Sequence, residues 1–267
     1  MKTFTKDSLK AELREIAERG WIASHRDTTT TRNDGAAGNL LENLLGIEEN
    51  NLPLPNANEW ELKVSRANTT SLVTLLHSEP SPRTLKFVPA ILLPNYGWAH
   101  QEAGGKYSED ERSFRMTMNA GSRTDRGFGV VVEEDRLCVS FDASAVSERH
   151  ADWLKEVESR ASHLNDFDPA PYWGLDDLTR KIGAKLHNTV FVVAERKVEE
   201  GHEWFRYSKV SMLSGFSVDS FVDCLRNGVA FVEFDARTGH NHGTKFRVQR
   251  NSLPTLYAND DLVFDLS

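Results

Sequence analysis

Residues 55–63 read PNANEWELK. The second half of this stretch, together with the next three residues, forms EWELKVSR (59–66), whose pattern predicts a β-strand. Successive side chains of a strand point to opposite faces, so Glu61 and Lys63 are predicted to share one face. A carboxylate beside an ammonium group can bind a metal ion and orient a water molecule. Because a hard divalent cation usually needs more than one anionic oxygen ligand, this stretch raises the question of a second acidic residue.

Length and composition are those of an ordinary folded protein. The chain has 267 residues, of which 39% are hydrophobic, enough for one large lobe or two modest ones. It contains no apolar run of bilayer length, and residues 1–20 are charged and amphipathic without a secretory apolar core, so we expect a cytoplasmic protein. The formal net charge of −8 disfavours non-specific coating of nucleic acid, but it is compatible with a DNA enzyme that has a basic cleft.

Helix and strand patterns are mixed along the whole chain, so we predict an α/β fold of the mixed α+β kind. Helices are predicted at residues 6–20, 39–46, 147–161, 175–186 and 217–228. Strands are predicted at residues 59–66, 70–77, 113–120, 189–198, 203–213, 229–237 and 244–249, with a hairpin over residues 127–143. The first helix has Asp7 or Ser8 as its predicted N-cap and ends at Gly20, and the Thr- and Gly-rich segment 23–38 is predicted to be a loop. Cys138 and Cys224 have no CxxC or zinc-ligand spacing, which predicts buried free thiols.

A longer pattern around Glu61 resembles a known family. Residues 38–66, GNLLENLLGIEENNLPLPNANEWELKVSR, followed by LVTLLHSEP, are similar to the MvaI/BcnI family of type II restriction endonucleases and, more distantly, to mismatch-repair nicking endonucleases of the MutH type. GHNHGTKFRV, SFRMTMNA and RGFGVVVEEDRLCVSFD are similar to further segments of the family, so the resemblance covers most of residues 35–257. It implies a restriction-endonuclease-like PD-(D/E)xK core with a mixed central sheet, together with a DNA-recognition lobe.

The resemblance also implies an active site. It places the family's helix glutamate on Glu42, its strand glutamate on Glu61 and its lysine on Lys63, with Mg²⁺ as the cofactor and Mn²⁺ as a substitute. The family's metal-binding aspartate falls on Asn56, and an amide there removes one negative charge from the pair of metal ligands, Asn56 and Glu61. Three explanations stay open: an engineered inactive variant, a natural loss or weakening of cleavage, or compensation by another acid. Glu59 is the candidate for that acid, because alternation would place it on the same strand face as Glu61.

The resemblance further implies a monomer that binds double-stranded DNA between two lobes, in a host that contains a cognate DNA methyltransferase. A polar bend at residues 160–172 predicts a catalytic N-terminal region, 1–160, and a C-terminal region, 161–267, that contributes recognition. The candidate DNA-binding residues are His77, Arg206, Arg237, His240, His242 and Arg247. Arginine can read guanine through paired hydrogen bonds, although a contact to phosphate or solvent is favoured over a base contact for each of these arginines. A zinc site at the two histidines of GHNHG is disfavoured because no third ligand is nearby.

Together, the residues and the resemblance predict a Mg²⁺-dependent, site-specific endonuclease that acts on double-stranded DNA. One alternative is a catalytically dead, sequence-specific DNA-binding protein, which Asn56 favours. A second alternative is a repair-type endonuclease that nicks one strand, which the MutH-like first block favours.

Overall fold

The computed structural model describes residues 4–27, 35–47, 55–57, 59–161, 164–165, 167 and 169–267. Its α-helices are α1 (Lys6–Glu18), α2 (Ala36–Leu45), α3 (Ala151–Arg160), α4 (Leu175–Lys185) and α5 (Val218–Arg226). Its strands are β1 (Ile22–Asp27), β2 (Glu61–Arg66), β3 (Val73–His77), β4 (Trp98–Ala99), β5 (Arg112–Met118), β6 (Arg126–Val132), β7 (Arg136–Val146), β8 (Tyr172–Gly174), β9 (Asn188–Glu199), β10 (His202–Phe216), β11 (Ala230–Arg237), β12 (His240–Asn241), β13 (Lys245–Val248) and β14 (Tyr257–Asp265). A π-helix, Val88–Tyr96, lies between β3 and β4.

The chain forms two compact units. Unit 1 comprises Met1–Val73, Arg180–Ser217 and Leu253–Ser267, and unit 2 comprises Thr74–Thr179 and Val218–Ser252. Each unit takes segments from both sides of residue 160, the predicted boundary between two sequential regions. Within unit 2 the chain is joined across that boundary because β7, which precedes it, pairs with β8, which follows it.

Unit 1 is built on a mixed five-stranded sheet. The strands β1, β10, β9 and β2 are adjacent in that order, and β14 also pairs with β10. β2 runs parallel to β9, with Glu61 opposite Thr189, whereas the other pairs are antiparallel. β9 supplies three fully buried apolar residues, Val190, Val192 and Ala194, to a core that also includes residues of α1 and α2. This packing explains the continuous apolar run of β9, since both faces of such a strand are covered.

The first helix forms where its apolar spacing predicts, and its buried residues include Leu9, Leu13 and Ile16. The predicted N-cap, Asp7 or Ser8, was wrong, because the helix begins at Lys6 with Thr5 as N-cap. The Thr5 hydroxyl accepts from the Ser8 backbone N–H at 3.2 Å, and the Ser8 hydroxyl accepts from the Thr5 N–H at 2.9 Å. This capping box satisfies two backbone donors at once, so Ser8 stabilises the start of the helix from its third position.

The predicted loop over residues 23–38 was wrong at both ends. Its start belongs to β1, where Ala23 pairs with Trp204 of β10, and its end belongs to α2, which begins at Ala36. Residues 28–34 lie outside the described residues. Pairing with a neighbouring strand supplies backbone hydrogen bonds that the local sequence does not signal, which is why β1 was missed. The same reason applies to β8 and β14, neither of which was predicted as a strand.

Unit 2 contains two sheets. One has β3, β13, β11, β5 and β4 adjacent in that order with β12 also on β11, and the other is the three-stranded sheet β6–β7–β8. The predicted hairpin is confirmed by the antiparallel pairing of β6 with β7. The core of this unit contains a cluster of aromatic side chains, with ring centroids 4.8–5.6 Å apart among Tyr96, Phe114, Phe128 and Phe141. Such tilted and edge-on pairs add to the stabilisation from buried area.

The predicted mixed α+β class is confirmed by this arrangement of helices and sheets. Cys138 and Cys224 are both buried and free, as predicted. None of the helices in the described residues combines the length and the apolar character needed to cross a membrane.

Candidate active site

Glu61 and Lys63 meet on one face of β2. Lys63 Nζ lies 3.0 Å from Glu61 Oε1, and the lysine and glutamate side chains are 15% and 3% exposed. Burial lowers the pKa of Lys63, and the neighbouring Glu61 carboxylate opposes that shift only in part. The strand therefore presents a buried carboxylate beside an ammonium group whose proton is held less tightly than in water.

Lys185, the last residue of α4, is a third member of this cluster that the sequence analysis missed. Its Nζ lies 3.6 Å from the same oxygen, Glu61 Oε1, and its charge further lowers the pKa of Lys63. The ammonium groups of Lys63 and Lys185 both contact the Oε1 atom of Glu61. The second oxygen of this carboxylate, Oε2, is buried and has no hydrogen-bond partner among the described residues. No local signal marks Lys185, because a lysine near the end of a charged helix is ordinarily a surface residue.

Glu42 and Asn56 form a second pair of side chains. Asn56 Nδ2 donates to Glu42 Oε1 at 3.0 Å, whereas Asn56 Oδ1 is buried without a hydrogen-bond partner in the part of the chain that the structure describes. α2 positions Glu42 by burying its apolar face, which includes Leu41 and Leu45, in the core. The negative charge of Glu42 raises the pKa of Lys63, so Glu42 acts electrostatically on Lys63.

Two buried oxygens, Glu61 Oε2 and Asn56 Oδ1, thus have no partner within the described chain, which is uncommon in folded proteins. Carboxylate and amide oxygens are ligands that hard divalent cations accept. Across the residues the structure describes, no group of three or more His, Cys, Asp or Glu side chains is arranged to hold a metal ion. The available oxygens fit a divalent cation, but with one carboxylate fewer than an aspartate at position 56 would supply.

Glu59 does not join the cluster. It is exposed in a turn before β2, and an antiparallel bridge between Ala57 and Trp60 closes that turn. The strand begins only at Glu61, so the prediction that Glu59 shares its face was wrong. Residues two apart share a face only where the strand is regular, and here the turn precedes the regular strand.

Arg206, a predicted DNA-binding residue, lies on β10 in unit 1. Its guanidinium donates to Glu195 with Nη2–Oε2 and Nε–Oε2 distances of 2.6 and 3.1 Å, and it lies 5.6 Å from the centroid of the Trp21 ring. Three charge-assisted hydrogen bonds to Glu195 hold the guanidinium in place. A DNA contact by Arg206 would therefore have to accommodate the Glu195 carboxylate.

Two further predicted residues, Arg237 and His242, line a cavity of about 470 Å³ in unit 2. Arg237 Nη1 donates to the buried Glu111 at 3.1 Å, and its guanidinium lies 4.7 Å from the centroid of the Tyr107 ring. These contacts restrict the guanidinium while leaving other donors available. The sequence analysis missed several polar residues that also line this cavity, which are His100, Tyr107, Arg115 and Asp235.

The other predicted DNA-binding residues of unit 2 are His77, His240 and Arg247. His77, at the end of β3, lines a second cavity of about 410 Å³. His240 is exposed, and its ring packs edge-on against His242 with centroids 4.2 Å apart. Arg247 donates to the buried Glu233 at 2.7 Å. The structure therefore brings Arg237 and His242 to one cavity, places His77 at the other, and holds Arg247 in an ion pair.

The Asn56–Glu42 contact predicts a metal-dependent stability. In an Asn56→Asp variant, two carboxylates would face each other where an amide now donates across 3.0 Å. We expect the metal-free variant to be less stable by roughly 1–3 kcal/mol, the cost of an unpaired buried polar group, and a divalent cation to restore much of that stability. Thermal unfolding with EDTA and with Mg²⁺ measures this. Adding Glu42→Gln to the variant supplies a new donor and should restore metal-free stability; equal melting temperatures of the unchanged chain and the Asn56→Asp variant in EDTA would contradict the argument.

Comparison with solved structures identifies the fold. The structure of the restriction endonuclease MvaI in complex with cognate DNA substrate matches with a TM-score of 0.75 at 19% identity, over 98% of this chain and 100% of that one. MvaI in the absence of DNA matches with a TM-score of 0.52 at 18% identity, over the same shares of both chains. At these identities the similarity shows the fold, which is that of the restriction endonuclease MvaI. No curated protein matches the sequence.

The particular family follows from the sequence. The MvaI/BcnI restriction endonuclease family matches residues 10–257, and the chain belongs to that family. The resemblance inferred from residues 38–66 and the C-terminal segment is thereby confirmed.

Proposed function

We propose that this chain is a divalent-metal-dependent endonuclease that hydrolyses phosphodiester bonds of double-stranded DNA at a short specific sequence. Its membership of a restriction endonuclease family and its structural similarity to MvaI in complex with DNA support this substrate class. The observation that carries the proposal is the pair of buried oxygens without partners among the described residues, Glu61 Oε2 and Asn56 Oδ1, in a site that also contains Lys63.

Each residue of the site has a chemical role in this proposal. Asn56 Oδ1 and Glu61 Oε2 would hold the cation, for which Mg²⁺, with Mn²⁺ as a substitute, suits oxygen ligands. When bound, such an ion neutralises phosphate charge and lowers the pKa of a coordinated water. Lys63 orients the attacking water, and in its neutral form it accepts a proton, which the lowered pKa favours. Glu42 positions Asn56 by accepting the hydrogen bond from its amide.

Base recognition is proposed for unit 2. Arg237 is restricted by Glu111 and Tyr107, so it can present its remaining donors to a guanine edge at little entropic cost. His77, His240, His242 and Arg247 stay candidate DNA contacts in the same unit, and Arg206 is the candidate of unit 1. The family resemblance adds a monomeric enzyme and a host methyltransferase to this proposal.

One observation favours a second function, a DNA-binding protein without cleavage activity. The Asn56 amide donates to Glu42, which satisfies one of the two side-chain groups of Asn56 without any cation. An aspartate could make no such bond, because an ionised carboxylate has no donor. Position 56 is thus compatible with a site that keeps its shape when no metal is bound.

Plasmid digestion tests these functions against each other. Supercoiled DNA is incubated with the chain in Mg²⁺, in Mn²⁺ and in EDTA, and binding to the same DNA is followed by gel shift. Metal-dependent linear product at defined positions supports the proposed endonuclease, whereas accumulating open circles without linear product support a nicking enzyme. Sequence-dependent binding with no cleavage in either metal supports the DNA-binding protein, and absence of both overturns all three.

Lys185 gives a prediction about pH dependence. Its charge helps to lower the pKa of Lys63, so Lys185→Gln should raise that pKa. If cleavage requires neutral Lys63, the rate rises with pH through this pKa, and the variant's rising limb moves to higher pH with a roughly several-fold lower rate at a fixed pH on the limb. Cleavage rates across a pH series, in a chain that cleaves, measure this. Lys185→Arg keeps the charge and should keep the profile; an unmoved limb in Lys185→Gln would contradict the assignment.

A further inference from the structure

The cavity of about 410 Å³ in unit 2 carries two cations with no partner among the described residues. Arg83 and Lys86 line it together with His77 and Asn241. Both Arg83 and Lys86 lie in or beside a short 3₁₀ turn, and neither forms a side-chain hydrogen bond, ion pair or ring contact with any residue that the structure describes. Unpaired cations in a concave site attract anions more strongly than cations on a convex surface do.

A cationic side chain without a partner among the described residues is unusual within unit 2. Every other arginine and lysine that the structure describes there contacts a carboxylate, a polar oxygen or an aromatic ring. These residues are Lys106, Arg112, Arg115, Arg123, Arg126, Arg136, Arg149, Lys155, Arg160, Arg226, Arg237, Lys245, Arg247 and Arg250. Arg83 and Lys86 are exposed, so in a chain with a formal net charge of −8 they leave positive charge at this cavity available to an anion from outside the chain.

The backbone supports the same conclusion. Lys86 has φ 45° and ψ 53°, a left-handed conformation that residues with a side chain rarely adopt. Its N–H donates to the Arg83 carbonyl at 3.2 Å, so the two residues close one 3₁₀ turn, in which side chains three apart lie on the same side. The rare π-helix Val88–Tyr96 follows almost immediately. Left-handed non-glycine residues and π-helical segments are both over-represented at functional sites.

Among the described residues that line this cavity, Glu79 is the only one with a carboxylate, and its oxygens are engaged. Glu79 accepts from the backbone N–H of Thr244 at 2.9 Å and from its hydroxyl at 3.0 Å. Arg83 and Lys86 are therefore the hydrogen-bond donors with unused charge, and the side-chain amide of Asn241 can add a neutral donor. This set of donors suits an anion with several acceptor oxygens, such as a phosphate group.

We propose that this cavity binds a backbone phosphate of double-stranded DNA, and that Arg83 and Lys86 anchor the duplex to unit 2 without reading its sequence. The inference rests on the proposed function, because it takes DNA as the ligand. Phosphate contacts supply affinity and fix register, whereas base contacts supply specificity. Arg83 and Lys86 would thus contribute affinity, whereas Arg237, which is proposed to read a base, would contribute specificity.

Salt-dependent DNA binding tests this anchor. A fluorescent random-sequence duplex is titrated with the intact chain in EDTA, which prevents cleavage, at several salt concentrations. The variant is Arg83→Ala combined with Lys86→Gly, because glycine accepts the left-handed backbone at position 86. We expect weaker binding to every sequence, and a plot of log affinity against log salt whose slope is shallower by about 1, because one phosphate is no longer neutralised.

A matched control removes two other cations of the same unit. Lys155 and Arg226 are exposed and paired with Asp152 and Asp223 at 2.9 and 3.0 Å, so Lys155→Ala with Arg226→Ala removes the same charge away from the cavity. The control should keep the slope of the unchanged chain, as should the charge-retaining Arg83→Lys variant. An unchanged slope in the cavity variant, or an equal change in the control, overturns the anchor while leaving the proposed function intact. No binding of the unchanged chain even at low salt overturns both.

Discussion

The Asn56→Asp variant is expected to cleave DNA roughly 10- to 100-fold faster than the unchanged chain at low Mg²⁺ concentration, the range typical of altered support at a metal site. The reason is the position of the amide oxygen, which is buried without a partner among the described residues, in the same site as Glu61 Oε2. A carboxylate at this position adds a full negative charge where only a dipole now lies, and hard cations bind more tightly as the charge of their ligands increases. The Asn56→Asp variant should therefore reach its half-maximal cleavage rate at a lower metal concentration than the unchanged chain.

The comparison is made by titrating Mg²⁺ and Mn²⁺ against both chains under identical conditions. Asn56→Ala provides the control, because it removes the oxygen altogether and should abolish metal-dependent cleavage without restoring charge. If the unchanged chain and the Asn56→Asp variant cleave equally at every metal concentration, position 56 is not a ligand. Binding of Mn²⁺ followed by electron paramagnetic resonance gives the same comparison without any cleavage, so a defect elsewhere in the reaction does not mask it.

Replacing Lys63 with alanine is expected to lower the cleavage rate by about 10²- to 10⁴-fold, the usual contribution of a positioned acid–base group. Lys63 Nζ lies 3.0 Å from Glu61 Oε1, and burial together with Lys185 lowers the pKa of Lys63 toward the neutral form. The experiment uses the unchanged chain or the Asn56→Asp variant, whichever cleaves, with single-turnover rates and DNA affinity measured separately. We expect the rate to fall while affinity stays within a few-fold.

A lysine elsewhere in unit 1 serves as the control. Lys10 also pairs with a carboxylate, Asp261, at 2.8 Å, but it lies on α1, and Lys10→Ala should cleave at the parent rate. Lys63→Arg keeps a cation but has no accessible neutral form, so it should preserve DNA affinity without recovering proton transfer. Cleavage by Lys63→Ala at the parent rate would remove the centre of the proposed mechanism.

The part of the candidate active site that lies within one strand could be predicted from the sequence. Glu61 and Lys63 meet because residues two apart in a strand share a face, and that rule needs no partner. The rule failed for Glu59, since a turn closed by the Ala57–Trp60 bridge precedes the strand. Local periodicity has no information about where a strand begins when the boundary is set by such a bridge.

Contacts between distant segments could not be predicted from periodicity. Lys185 reaches Glu61 because β2 and β9 are parallel neighbours and α4 leads into β9, a relation that no short motif records. The ion pairs of Arg206 with Glu195 and of Arg247 with Glu233 are likewise tertiary. The pairing of Glu42 with Asn56 was anticipated only through the family resemblance, which placed both in one site.

The assembly of unit 1 from three stretches of chain has a consequence for biosynthesis. β2 emerges early with Glu61 and Lys63, but its parallel partner β9 follows only after residues 74–179 of unit 2 have been made. Tyr257, whose hydroxyl donates to Thr189 opposite Glu61 at 2.7 Å, comes later still, at the start of β14. Pairing of such distant segments must wait for the later one. A nascent chain that ends within unit 2 therefore contains Glu61 and Lys63 but lacks β9 and β14, so we expect the candidate active site to be complete only after β14 has been synthesised.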